Sequence, residues 1–318
     1  MPASSTDLLS AASVSSPFFD RLAAGVERTG SPVVVGLDPR WEQLPASLRG
    51  SGDSLDAKAT AYARFSNLVS DVVAPLVSVV KIQAAFFEEL GPAGMTAMSE
   101  VIAHAHAAGL LVIVDGKRND IGSTALAYAR GYLGRGQSAW HADALTVSPY
   151  LGDDSLTPFL DIATERRAGI FVLVKTSNPG GRLLQDVATS DGPLYQRVAA
   201  VVEQAAARDL GACGYGSAGA VVGATYPEQL AELRATMPHT WLLVPGYGSQ
   251  GGTARDVIGG FDSSGLGAIV NNSRGIIFAH DRPEYAERFG ASRWQEAVDA
   301  ATRDMIAELR AAGWSVSR

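Results

Sequence analysis

Short apolar, β-branched runs recur along the chain: VVVGLD (33–38), VSVVKI (77–82), LLVIVD (110–115), DALTVS (143–148), GIFVLVK (169–175), GAVVGA (219–224), WLLVPG (241–246) and GAIVNN (267–272). Their apolarity is continuous rather than alternating, which suits parallel strands buried on both faces. Helical spacing fills the intervals at 58–73, 93–108, 121–133, 154–165, 192–209, 227–235 and 252–259, and a long final pattern covers 291–312. Strands alternating with helices in this way predict an α/β fold, a single (β/α)8 TIM barrel. A short amphipathic pattern at 17–29 adds an N-terminal helix, and 291–312 adds a long C-terminal one. Residues 1–16 read as a mobile segment, so the barrel domain is expected over 17–318. The longest loop-like stretches are LPASLRGSGDS (44–54) and SNPGGRLLQDVATSDGPL (177–194), the second placed to act as a lid.

The rival architecture is an open, doubly wound sheet, and GYGSQG (246–251) speaks for it, because it fits the G-x-G-x-x-G dinucleotide pattern between a strand and a helix. The motif follows the seventh strand, however, and the next strand ends in NNSRG, with no acid for a ribose diol. Barrels commonly bind phosphate in the loops after strands seven and eight, so the glycines are read that way.

Composition narrows the function classes. Of 318 residues, 47% are hydrophobic and 19% charged, and the net charge is −7. That balance provides no global field for nucleic acid or anionic lipid. No apolar stretch approaches the length of a membrane span, and the N-terminus lacks the basic and apolar regions of a secretory signal. The single cysteine, Cys213, permits no intrachain disulfide and reads as a partly buried filler. A cytoplasmic location is expected.

Barrel chemistry collects at the C-terminal ends of strands. The polar residues there are Asp38, Lys81, Asp115, Lys117, Lys175, Ser177, Gln250 and Arg274. Asp115 and Lys117, two apart at the end of an extended segment, share one face. Asp120 follows at the start of a helix. Singly, Asp120 would suffice as a helix cap and Asp115–Lys117 as a surface ion pair. Together, beside Lys81 and Asp38 at equivalent strand ends, they point to chemistry. Lys81 interrupts an apolar run and needs a partner, either Asp38 or Asp115. Gln250 and Arg274 suit an anion clamp, with loop amides of GYGSQGGT adding donors. The five histidines show no metal-ligand spacing, and no nucleophile elbow or aromatic platform is visible.

GLDPR, KIQAAFFE, DGKRNDIGSTA, SNPGG, VPGYGSQGG and NNSRG occur in this order, each at a strand end. From about residue 17 to 279, the chain therefore resembles the orotidine 5′-phosphate decarboxylases, specifically their longer bacterial branch. The resemblance implies conversion of orotidine 5′-phosphate to UMP and CO2, the last step of UMP biosynthesis, by a homodimer without metal or cofactor. It implies that Asp38 binds ribose and that Lys81 pairs with it in a charge network. Asp115, Lys117 and Asp120 become an alternating catalytic array. Asp120, Ile121 and Thr124 are expected to reach the neighbouring subunit's site. Ser177 is expected at the pyrimidine, Gln250 and Arg274 at the phosphate, and Pro245 in the same substrate-binding set. Arg118 stands at a variable position inside the array.

The chemistry explains the charges. Loss of the 6-carboxylate leaves a carbanion at C6 with no neighbouring carbonyl to delocalise it. Enzymes commonly supply roughly 8–23 kcal/mol of barrier reduction. Without an electron sink, positioned charge must provide it. An ammonium at C6, Lys117, stabilises the carbanion and then protonates it. A flanking acid near the substrate carboxylate adds repulsion, roughly 4 kcal/mol for like charges about 4 Å apart at an effective dielectric near 20. Two other readings compete: a metal-dependent sugar-phosphate decarboxylase or aldolase of the same barrel group, and a non-catalytic phosphate-ligand sensor. The first needs a metal-binding acid where Lys81 stands. The second leaves an intact charge array without a role.

Overall fold

The computed structural model describes residues 16–50, 52–248 and 250–316. The expected mobile segment 1–16 thus lies outside the described residues except for Ser16. Eight parallel strands close into a barrel: β1 (Val33–Leu37), β2 (Val79–Gln83), β3 (Leu111–Arg118), β4 (Ala144–Val147), β5 (Gly169–Lys175), β6 (Ala218–Val222), β7 (Leu242–Val244) and β8 (Ala268–Asn272). Each pairs with its neighbours in sequence, and β1 closes on β8 with Val35 opposite Asn272. The strands are almost entirely buried, which is why their sequences are apolar throughout.

The principal helices are α1 (Phe18–Thr29), α2 (Leu55–Val73), α3 (Gly91–Ala107), α4 (Gly122–Tyr132), α5 (Thr157–Glu165), α6 (Leu194–Ala206), α7 (Pro227–Thr236) and α8 (Trp294–Ala311). Among the described residues none is long and apolar enough to cross a membrane.

The helix expected at 252–259 is only one turn, Ala254–Val257, continued as a 3-10 turn to Gly260. Paired glycines 259 and 260 weaken any longer helix there. The two long loops hold small elements that periodicity cannot reveal: a helical turn Ala46–Arg49, another at Arg182–Gln185, and a hairpin pairing Ala188–Thr189 with Gly192–Pro193.

Helix α1 stoppers the barrel at the end opposite the strands' C-termini. Phe18 and Phe19 are fully buried. Both meet Phe171 of β5 edge to face, at 6.2 and 5.4 Å, and Phe19 stacks on Trp241 at 6.0 Å. Arg21 ties the helix to Asp143 at 2.5 Å, and that buried carboxylate also accepts from the amide of Val112 and faces His106. Burial alone would raise the Asp143 pKa, but His106 and Arg21 hold it below the ordinary value. At the other edge of the barrel, α8 packs over α2: Phe65 stacks on Phe278 at 5.6 Å and meets Trp294 at 5.4 Å. With these aromatics filling that end, the charged strand-end residues collect at the C-terminal mouth.

Candidate active site

A cavity of about 360 Å³ occupies that mouth. Asp38, Lys81, Asp115, Lys117, Ser177, Pro245, Gln250 and Arg274 all line it, so the fold gathers residues spread across more than 230 positions into one site.

Its floor is a chain of alternating charge. The Lys81 ammonium donates to Asp115 Oδ2 at 2.9 Å and lies 3.9 Å from Asp38 Oδ1. Lys81 thus has both of the partners weighed from sequence. Asp115 Oδ1 accepts from the Lys117 ammonium at 2.7 Å and from the Thr146 hydroxyl at 2.9 Å. Register explains the convergence, since Lys81 opposes Gly36 on β1 while Gln83 opposes Asp115 on β3. Burial alone would raise the Asp115 pKa, but Lys81 and Lys117 outweigh it and hold the carboxyl well below the usual range. Burial would likewise lower Lys81, but Asp115 and Asp38 raise it, so it stays an ammonium. Lys117 alone of the two lysines reaches open space, its side chain 47% exposed against 4% for Lys81.

Asp115 and Lys117 do share one side, but not by simple strand alternation. Strand β3 bulges between Val114 and Arg118, and Lys117 adopts φ +44°. A left-handed backbone at a residue with a long side chain costs on the order of 1–3 kcal/mol. Such bulges re-aim side chains beside active sites.

Asp120, Ile121 and Thr124 do not line the cavity of their own chain. Asp120 Oδ1 accepts from the amide of Ile121 at 2.8 Å, and Ile121, not Asp120, holds the cap position of α4. Ile121 is 57% exposed. Arg118 points away from the cavity. Its guanidinium donates to the Gly116 carbonyl, to Tyr132 Oη and to Glu88, and lies over the ring of Tyr132. It braces the bulge from behind, so a bulky charge at this position is accommodated.

Lys175, a strand-end candidate, also turns outward. It is fully buried, pairs with Asp186, and sits 4.6 Å from the ring centre of Tyr226. Beside it, Gln185 accepts from the Thr176 amide and donates to its hydroxyl. These contacts latch the stretch 177–194 at its base, which holds Ser177 at the cavity wall. Gly223 makes that placement possible, because a Cβ there would stand 2.7 Å from Ser177 Cα.

At the far end, Gln250 within the glycine loop and Arg274 after β8 both line the cavity. Gly246 has φ +97°, and a Cβ there would press on Ser177 and Gln250. Three of the described loop amides are taken up within the loop. Gly248, Gly251 and Gly252 donate to Gly252, Gly248 and Gly246 carbonyls, and Thr253 donates to Asp256 in a capping box.

Several cavity residues escaped sequence reasoning. Thr146 sits inside an apolar run where a threonine is unremarkable. Arg40 lies over Phe86 at 5.4 Å with its Nε buried and unpartnered. Asn271 Oδ1 and Asp38 Oδ1 are also buried acceptors without a hydrogen-bond partner. Buried acceptors of this kind call for donors such as sugar hydroxyls. The signal for Asn271 was its position at the end of β8, parallel to Asp38. Cys213 has the expected filler character: burial and Asp20 push its thiol up to about 12.

Among the described residues no three His, Cys, Asp or Glu side chains are grouped to hold a metal ion. Where the sugar-phosphate reading needs a metal-binding acid, Lys81 supplies an ammonium instead.

Residues 31–289 match the model of the orotidine 5′-phosphate decarboxylase / HUMPS family. The chain is 57% identical over 298 residues to orotidine 5′-phosphate decarboxylase of Rhodopirellula baltica, covering 92% of this chain and 99% of that one. It is 43% identical over 269 residues to the Deinococcus radiodurans protein of that name, covering 84% and 91%. The solved structure of Leishmania donovani OMP decarboxylase superposes with a TM-score of 0.73 at 33% identity, over 93% of this chain and 98% of that one. Similarity of this extent, carried on a closed eight-stranded parallel barrel, makes the chain a member of the orotidine 5′-phosphate decarboxylase family.

Proposed function

We propose that the protein decarboxylates orotidine 5′-phosphate to UMP and CO2, with Lys117 as the acid that protonates C6. The observation that carries this reading is the Asp38–Lys81–Asp115–Lys117 chain, whose single exposed ammonium faces the cavity. The C6–carboxylate bond breaks and its electron pair remains on C6. A proton from Lys117 Nζ forms the new C–H bond, and the neutral amine is recharged from water. Asp115, kept ionised by two lysines, holds the ammonium in place and adds no proton of its own. Because this electrostatic frame is set before substrate arrives, no reorganisation is needed as charge develops.

The remaining residues divide by position. Asp38, with Asn271, accepts from ribose hydroxyls. Ser177 meets the pyrimidine at the latched loop, and Pro245 closes the wall beside it. Gln250 and Arg274 grip the phosphate, so binding energy remote from C6 is spent at the reacting carbon.

Asp120, Ile121 and Thr124 serve the site of a second copy. Supporting this, exposed apolar residues collect on the loops after β3 and β4: Ile121 on one, and Tyr150 (76% exposed) and Leu151 on the other. Such side chains beside a site that lacks its fourth charge fit a two-fold interface. A single shielded thiol suits the reducing cytoplasm.

The test is direct. Purified protein with excess EDTA should consume orotidine 5′-phosphate, followed by its ultraviolet absorbance, and yield UMP. Lys117→Ala should reduce kcat by at least about a thousandfold, the scale on which positioned charge and proton donation act. Activity lost to EDTA and restored by Mg²⁺ would favour the sugar-phosphate reading. Binding without turnover would favour the sensor.

A further inference from the structure

Between the paired residues Val114–Leu145 and Arg118–Val147, three residues of β3 (115–117) face one residue of β4, Thr146. That register leaves a gap in which residues 115–117 have no residue-for-residue partner on β4. The Thr146 side chain fills it. Its oxygen accepts from the Lys117 amide at 2.9 Å, and its one proton goes to Asp115 Oδ1 at 2.9 Å. Thr146 is 1% exposed, so water has little access to replace it.

Both capacities of the hydroxyl are therefore used on the two residues that bracket the bulge, which fixes its rotor as well as its position. Lys117 carries the left-handed φ of +44°, and the amide held by Thr146 is its own. The same carboxylate oxygen that receives the Thr146 proton receives the Lys117 ammonium at 2.7 Å. Removing the hydroxyl takes one contact from the backbone that aims the ammonium and one from the carboxylate that anchors it.

We infer that Thr146 is a positioning residue for the reaction: its hydroxyl spans the β3 bulge and sets the aim of Lys117 through Asp115 and the Lys117 amide. This rests on the decarboxylase reading for its kinetic consequence, and on geometry alone for the hydrogen bonds.

Thr146→Val keeps shape and removes the hydroxyl, whereas Thr146→Ser keeps the hydroxyl and removes a methyl. Loss of hydrogen bonds to a charged group and a buried amide predicts that Thr146→Val lowers kcat about 10- to 100-fold. KM and the affinity for UMP should stay within about threefold, because Thr146 binds neither sugar nor phosphate in this account. Thr146→Ser should recover most of kcat. Thr146→Ala carries the same expectation as valine should the latter not fold. Amide hydrogen exchange at Lys117 should quicken by about tenfold or more in Thr146→Val and not in Thr146→Ser. Wild-type kcat in the valine or alanine variant, or an equal loss in the serine variant, would overturn the inference. So would unchanged exchange at Lys117, whatever the substrate proves to be. A wild-type protein that fails to decarboxylate orotidine 5′-phosphate overturns the function instead, and leaves the exchange measurement to decide the hydroxyl.

Discussion

At the scale of residues, charge buried at the end of a strand is the loudest signal a sequence carries. Lys81 and Asp115 interrupt runs that are otherwise apolar, and an unpaired charge there would be costly, so partners had to exist. Their pairing is also a statement about pH. Burial pushes the Asp115 carboxyl up, but Lys81 and Lys117 hold it below its unfolded value. Its contribution to stability is therefore fully present above the ordinary carboxylate range, near 4, and is lost as pH falls through the lower folded value. Asp115→Asn leaves the buried Lys81 with only the longer Asp38 contact and should destabilise the fold by about 3–5 kcal/mol at neutral pH. Denaturant titrations from pH 8 downward should show that gap constant to about pH 5 and narrowing only below about pH 4. A gap that grows on acidification would reverse the assigned sign. Thr146 was silent at this scale because threonine belongs in strands anyway. Only the register, three residues against one, discloses what its hydroxyl does.

Elements were legible wherever one period dominated. All eight barrel strands stand within a few residues of their apolar runs, since burial on both faces leaves no polar position to blur them. The β3 bulge was not legible. It extends the strand to Arg118, past the point where apolarity ends, and is held by side-chain contacts distant in sequence. The latched stretch after β5 is similar: Lys175, Asp186 and Tyr226 come from separate segments, and nothing in SNPGGRLLQDVATSDGPL marks the hairpin. Helix α1 was expected from its amphipathic spacing, but its task was not. Its two phenylalanines seal the barrel floor, at the end opposite the cavity. Phe19→Ala should destabilise the fold by about 3–5 kcal/mol. Its kcat/KM, measured well below the melting transition, should stay within about twofold of wild type, because the two ends are independent. A selective loss of kcat/KM in folded protein would mean that the floor is coupled to the mouth.

For the whole molecule, a filled floor and a charged mouth separate the stability of the barrel from the proposed chemistry. Three of the four charges around Lys117 come from its own chain: Asp38, Lys81 and Asp115. In the proposed reading the fourth is Asp120 of a second copy, since Asp120 does not line the cavity of its own chain and lies on a rim with exposed apolar residues. The central claim is that two copies complete each other's array. Lys117→Ala and Asp120→Ala homodimers should each be nearly inactive. In a mixed dimer, one site carries both defects and the other carries neither. With free exchange of equal amounts, about half the dimers are mixed and each has one intact site, so activity should return to about a quarter of wild type. No recovery, with subunit exchange verified by a labelled chain, would contradict the account and confine Asp120 to its own chain.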